Sequence, residues 1–390
     1  MNKDKLLYFI FDIINKALPF LMIPFITKNV TLSDYGEIEL FTSTYVFFSF
    51  LISFGFEGWL SSQYFKEKDI FPYIKSYLIF IFLFSLVIFI PFSQYNFIFS
   101  LSILISLVNA VLFLVTTLLR LDGKFKYAGL ILLFNSLLNI TLLFAYFYFH
   151  GPNFNNRIYS LILTYTITFL LLFSVLYSRY HSIFSLNTKA ANFKMVFLFC
   201  LPLCISMISS WIKGNIDKYY INSLLSPTDL AIYSLSFQVC SVMNVITITI
   251  NKIIQPSFFN DMTNSIKNTK KMIYIILFIL LGSIIYYFSI VLIFPIIFDY
   301  RYMSATPLLP YLILSFTISA IVMILNNYFL FFSKTKIIMY QVIASSVLHC
   351  ILSFVFLNLF SLTGAVLAQL TSSLLSLLIT LFLLKKIMYV

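Results

Sequence analysis

MVFLFCLPLCISMISSWIKGNIDKYYIN, residues 195–222, decides how this chain folds. Its first half is apolar, and then Lys213, Asp217 and Lys218 arrive before the apolar character resumes. A helix needs about 20 mainly apolar residues to cross roughly 30 Å of hydrocarbon, and this run is long enough. Full charges inside such a run cost about 2.5–3.5 kcal/mol each on insertion scales, and they mark a bundle interior or a water-filled path.

Runs of this kind fill the rest of the sequence. The chain is 61% hydrophobic and only 10% charged, with a mean hydropathy of +0.99, whereas soluble domains are about 25% charged. The runs are continuous rather than alternating, which excludes a membrane barrel and leaves helices. The expectation is an all-α integral membrane protein with twelve transmembrane helices: 7–28, 38–62, 73–92, 97–119, 128–149, 158–178, 195–223, 231–256, 272–297, 308–331, 338–360 and 362–384. The start, MNKDKLLYFIFDIINKALPFLMIPFI, has the basic opening of a signal peptide. Asp12 and Lys16 interrupt it and no small-x-small cleavage site follows, so it is read as a retained first span. With only 9 glycines, close helix approach has to rely on Ser, Ala and Thr, as in QLTSSLLS (369–376).

Charge in the loops orients the spans. Eighteen Lys and Arg, from Lys3 to Lys386, fall at the N-terminus and on alternate loops, against Lys28, Arg157 and Arg301 on the others. Basic loops stay cytoplasmic, so both termini are expected there. The net charge of +12 then reflects topology and contact with anionic membrane lipids, and no nucleic acid is expected as a partner. The four cysteines lie in apolar runs, and the three histidines (His150, His181, His349) are scattered. Neither a disulfide framework nor metal-ligand spacing follows, and no phosphate-binding glycine loop is present. The chain is therefore read as no enzyme and as needing no cofactor or metal.

The sequence also repeats itself. TLSDYGEIEL (31–40) follows the first span and SPTDLAIYSL (226–235) follows the seventh, with Asp34 and Asp229 separated by half the chain length. Two six-helix bundles, 1–186 and 187–390, are expected, related by a pseudo-two-fold axis along the membrane normal as in transporters with parallel repeats.

The buried charges concentrate on the first two spans of each half. Asp12 with Lys16, and Lys213 with Asp217, are four residues apart, so each pair shares a helix face. Glu57 in one half corresponds to Lys252 in the other. Around them lie polar stripes: Asn15 with Asp12 and Lys16; Ser206, Ser209, Ser210 and Tyr220 with Lys213 and Asp217; and Asn244, Thr247, Asn251 and Gln255 on the eighth span. Lys218 falls off that face and is expected to extend to the interface. The candidate head-group residues are Lys213, Lys16, Lys252 and Tyr220. Asp12, Glu57 and Asp217 are the coupling or cavity carboxylates, and Asn15, Ser209, Asn244 and Asn251 the polar lining of a cavity. The plain alternative is that paired charges and polar stripes only hold helices together.

KALPFLMIPFITKNVTLSDYGEIELFTSTY (16–45), ISFGFEGWLSSQYFKEKD (52–69) and LPLCISMISSWIKGNIDKYYINSLLSPTDLAIYSLSFQV (201–239) together resemble bacterial polysaccharide or O-antigen repeat-unit flippases of the Wzx type. The IDKYYI stretch is similar to an aspartate–basic pair that recurs in them. The resemblance implies the fold of the multidrug/oligosaccharidyl-lipid/polysaccharide exporters. It also implies export of an undecaprenyl-pyrophosphate-linked oligosaccharide across a bacterial inner membrane, with membrane lipids, a polysaccharide polymerase and a chain-length regulator as partners. The family's lumen is cationic, and here four span bases stand against three acids. Two other readings are a multidrug or cation exporter of the same fold, and a membrane glycan polymerase. Outer loops of roughly ten residues leave the polymerase little room for catalytic groups.

Overall fold

Among the described residues, continuous apolar sequence with polar punctuation folds into helices alone. The computed structural model describes residues 3–66, 69–184, 194–263 and 269–388. Along them run α1 (Lys3–Asn29), α2 (Leu32–Ser53), the short α3 (Phe56–Gln63), α4 (Phe71–Tyr95), α5 (Phe97–Leu121), α6 (Phe125–His150) and α7 (Phe154–Arg179). After these come α8 (Lys194–Leu224), α9 (Pro227–Thr263), α10 (Thr269–Ile297), α11 (Leu309–Phe331) and α12 (Thr335–Met388). Eleven segments among the described residues are long and apolar enough to cross a membrane. The last covers 52 residues, too long for one crossing. Ser361 breaks it with φ 52°, so α12 is a hairpin of two legs and the crossings number twelve, as the sequence predicts. The chain is a multi-pass membrane protein.

The duplicated motif is a helix start. Thr31 Oγ1 accepts the Asp34 N–H at 3.1 Å and donates to the Asp34 carboxylate at 2.7 Å. Ser226 does the same for Asp229, at 3.1 and 2.5 Å. Both are N-cap arrangements, in which a hydroxyl serves an otherwise orphaned amide, and they begin α2 and α9. The first cap starts α2 six residues earlier than the predicted 38. Asp34 further accepts the Phe154 N–H at the head of α7.

The chain divides into two compact units, Met1–Ile208 and Ser209–Val390, and the division falls within α8. The boundary expected from the sequence, between residues 186 and 187, lies outside the described residues. In the first unit α1 packs on α6 and α2 on α5. Phe54 and Gly55, at φ 52° and 70°, bend α2 into α3, and α8 closes on that bend: a Cβ on Gly55 would sit 2.9 Å from Leu203 Cβ. Phe56 stacks on Tyr77 beside Trp59 in the core. Asp122, in the turn after α5, accepts the phenols of Tyr64 and Tyr180, the latter at 2.6 Å. Burial first, and then this carboxylate, push the Tyr64 phenol up to about 12.

In the second unit α11 packs on α9 and α12. Small hydroxyl residues carry the α11–α12 contact: Ser315 Oγ donates to the Gln369 carbonyl at 3.0 Å and meets Ser373 at 2.9 Å. The QLTSSLLS run thus does what its composition suggests, bringing two backbones close where hydrocarbon offers no other partner.

The α12 hairpin depends on Gly364, because a Cβ there would run into the Phe356 carbonyl across the bend. Gly364→Leu is expected to destabilise the protein by about 1–3 kcal/mol, the usual cost of overpacking. Gly282→Leu, with open space around it, is expected to leave stability near wild type. Thermal melts in matched detergent micelles measure both.

Candidate functional site

A cavity of about 400 Å³ opens within the second unit, in the range of roughly 300–1,000 Å³ that suits small ligands. Lys213 and Asn215 of α8, Asn244 of α9, Asn326 of α11, and Gln341 and Gln369 from the two legs of α12 supply polar lining. Phe237 and Phe316 supply an apolar wall, their rings edge to face at 5.2 Å. Lys213 is the only charged residue in that lining. It is half-buried and, among the described residues, forms neither a hydrogen bond nor an ion pair.

The expected Lys213–Asp217 pair does not form. Asp217 is fully buried and its two oxygens are taken from three sides. Tyr233 Oη of α9 donates at 2.5 Å, His349 Nε2 of α12 lies at 3.2 Å, and Ser353 Oγ of α12 donates to the other oxygen. A buried carboxylate persists only where donors replace its water, and groups from α9 and α12 meet it here, with Lys213 not among them. Ser372 Oγ donates to the Gln369 carbonyl at 3.1 Å and lies 3.1 Å from His349 Nδ1, while Nε2 faces Asp217. His349 thus bridges the carboxylate of α8 to the second leg of α12.

Of the other expected site residues in this unit, only Asn244 lines the cavity with Lys213. Tyr220 turns to Cys350, Oη to Sγ 3.1 Å, with its ring on Phe354. Ser209 is buried with its carbonyl accepting from Ser346 at 2.6 Å. Asn251 accepts from Asn327 at 2.7 Å, and Asn327 accepts from Gln255 at 3.1 Å, a ladder that joins α9 to α11. Lys252 is exposed. Lys218 does not extend outward as expected: it is 5% exposed.

In the first unit the Asp12–Lys16 pair forms as its spacing predicts, at 2.6 Å, with Lys16 55% exposed. Asn15 accepts from Ser136 of α6. Glu57 Oε1 is buried without a hydrogen bond among the described residues. Two charges went unforeseen. Glu39 is buried within α2, so Asp12, Glu57 and Asp217 are not the only carboxylates inside spans. Arg157, expected on an outer loop, lies in the first turn of α7, which Asn153 caps at Asn156 N, 2.8 Å. Its guanidinium donates to Asn139 at 2.8 Å and lies within electrostatic range of Glu39.

The sequence pattern of the family described as polysaccharide biosynthesis protein matches residues 2–262. A protein of the Lsg locus of Haemophilus influenzae is 22% identical over 287 residues, which span 66% of this chain and 65% of that relative. The match thus covers slightly less than two thirds of the relative's length. Among solved structures, an inward-facing multidrug resistance MATE family transporter of the MOP superfamily superposes at a TM-score of 0.70 with 12% identity, covering 96% of this chain and 98% of that one. The lipid II flippase MurJ, in an inward closed conformation, superposes at 0.67 with 14% identity, covering 97% and 87%. At these identities the likeness is one of fold, two six-helix bundles in a single chain. The family pattern, which takes in well over half of the residues and sits on that fold, decides membership: the chain belongs to the polysaccharide biosynthesis protein family.

Proposed function

We propose that the protein is a flippase, which moves an undecaprenyl-pyrophosphate-linked oligosaccharide, an O-antigen or capsule repeat unit, from the cytoplasmic to the periplasmic leaflet of a bacterial inner membrane by alternating access. The observation that carries this reading is Lys213, an ammonium that among the described residues has no partner and lies on the wall of a cavity with no carboxylate in its lining. A pyrophosphate carries about two negative charges, and taking it through hydrocarbon uncompensated costs many kcal/mol. A lysine held without a counter-ion offers that charge a partner, and lysine is a compact phosphate-binding group.

The fold is equally that of multidrug exporters, but an organic cation entering this cavity would meet a like charge and no acid. The proposal therefore favours an anionic cargo. Transport without covalent chemistry is the matching reading of activity, with a polysaccharide polymerase and a chain-length regulator as downstream partners. Asp217 with His349 is the proposed coupling pair, because it is a buried carboxyl–imidazole unit shared by α8 and α12. Asp12, paired with an exposed Lys16, is placed to contribute little, as exposed pairs do.

Three outcomes are expected. In a strain deleted for the gene and complemented at equal abundance, Lys213→Ala lowers surface polysaccharide at least about tenfold, the worth of one charged hydrogen bond, while Lys213→Arg keeps part of it. Normal glycan display by Lys213→Ala would remove the head-group role. For coupling, the double variant Asp217→Asn with His349→Gln keeps hydrogen-bonding groups and removes both groups able to exchange a proton. It is expected to insert and fold but not to export, and wild-type export would show the pair to be structural. For orientation, a cysteine replacing Ser185 is expected to escape an impermeant thiol reagent applied to intact cells, since both termini and the 179–194 connection are proposed to be cytoplasmic.

A further inference from the structure

Lys213 accounts for one end of the cavity and leaves the rest unexplained. Four buried polar atoms without a partner among the described residues belong to its lining: Asn326 Oδ1, Gln341 Oε1, Ser345 Oγ and Gln369 Oε1. Gln341, Ser345 and Gln369 are only 3–4% exposed. An unsatisfied buried group costs about 1–3 kcal/mol, so such atoms are seldom left bare without a use.

Their chemistry is one-sided. Gln341 Nε2 donates to Thr380 Oγ1, whose own proton is spent on the Ser376 carbonyl at 2.7 Å. The carbonyl end of Gln341 is therefore the end left over. Three of the four free atoms are amide oxygens, which accept and cannot donate. A pyrophosphate is itself an acceptor and cannot satisfy them. They call for a ligand carrying O–H or N–H groups, next to the anion that Lys213 would hold. The apolar wall of Phe237 and Phe316 calls for C–H surface on the same ligand. A pyranose has both, with hydroxyls around its edge and C–H bonds on its faces.

We infer that this cavity is a sugar subsite, in which the carbonyls of Asn326, Gln341 and Gln369 accept from hydroxyl or acylamino N–H groups of the sugar nearest the pyrophosphate, while its face packs on Phe237 and Phe316. The inference rests on the head-group reading of Lys213, and it adds that selection among lipid-linked substrates is made by neutral acceptors in the second unit.

The test uses the full chain in lipid nanodiscs and two probes, farnesyl pyrophosphate and undecaprenyl-pyrophosphate-linked N-acetylglucosamine. Wild type is expected to bind the glycosylated probe at least about tenfold more tightly, as sites with buried polar groups discriminate. Gln369→Leu and Gln341→Leu should each erase most of that preference and leave affinity for farnesyl pyrophosphate unchanged. Lys213→Ala should weaken both probes alike. Gln369→Leu gives up no side-chain hydrogen bond among the described residues, so its melting temperature without ligand should equal or exceed that of wild type, which separates lost recognition from lost folding. A sugar preference that survives both glutamine variants, or equal binding of the two probes by wild type, would overturn the subsite and leave the cavity to ordered water. If Lys213→Ala changes neither affinity while the glutamine variants still erase the preference, the head-group reading fails and the sugar subsite stands.

Discussion

The second unit is organised around one buried carboxylate. Asp217 sits on α8 with no exposed surface, and its partners come from α9 and from the first leg of α12. An ionised carboxylate taken out of water would cost several kcal/mol if its donors were incomplete. Three groups from two other helices meet it, so those helices are held in relative positions that keep them in reach. Leaving a buried charged group short of a donor costs upward of about 1–3 kcal/mol. Once Asp217 is committed to His349, Lys213 one turn earlier has no counter-ion on its own helix. Its freedom is thus a consequence of the pair, and a free ammonium beside a cavity is what an anion-binding site requires.

The same scarcity of water shapes both units. Hydrocarbon cannot solvate a backbone amide, so each helix end needs a built partner. Thr31 with Asp34 and Ser226 with Asp229 supply it at equivalent places in the two halves. The repeat visible in the sequence is therefore a repeat of physical need, which explains why the capping residues persist while most of the surrounding side chains differ. Between helices, where lipid is as apolar as leucine, Ser315, Ser372 and Ser373 join α11 to α12 and bind within α12 by hydrogen bonds from short side chains.

Length and hydropathy made the twelve crossings legible, because a span is a bulk property of some twenty residues. The α12 hairpin was legible for the same reason: 52 apolar residues cannot be one crossing. What failed were statements about single side chains. Helical spacing places Lys213 and Asp217 on one face but says nothing of donors arriving from α9 and α12, and those decided the pairing. Glu39 was missed although it lies at the start of the predicted second span, 38–62, and although the Thr-x-x-Asp cap signal before it lay in the quoted motif. His349 was passed over as a lone histidine in a greasy run. A histidine there has to find hydrogen-bond partners, and Asp217 on α8 and Ser372 on α12 supply them. Gln341, Gln369 and Asn326 carried a signal too, as amides inside otherwise apolar spans, but amides often only join helices, and the sequence does not show which oxygens remain unbonded.

The Asp217–His349 pair and the cavity are not independent features. His349 hydrogen-bonds Ser372, and Ser372 bonds the carbonyl of Gln369, the residue whose side-chain oxygen stands free in the cavity lining. Ser315 of α11 holds that same carbonyl. Asp217 is thus linked to the cavity wall through His349 and two further hydrogen bonds, while α8 links it directly to Lys213 one turn away. A change in the charge of the pair would act on both ends of the cavity at once, on the ammonium through the helix and on the neutral acceptors through Gln369. For the proposed cargo, an anionic glycan held by both charge and sugar, such a joint effect is what release would need, since loosening only one would leave the cargo bound by the other.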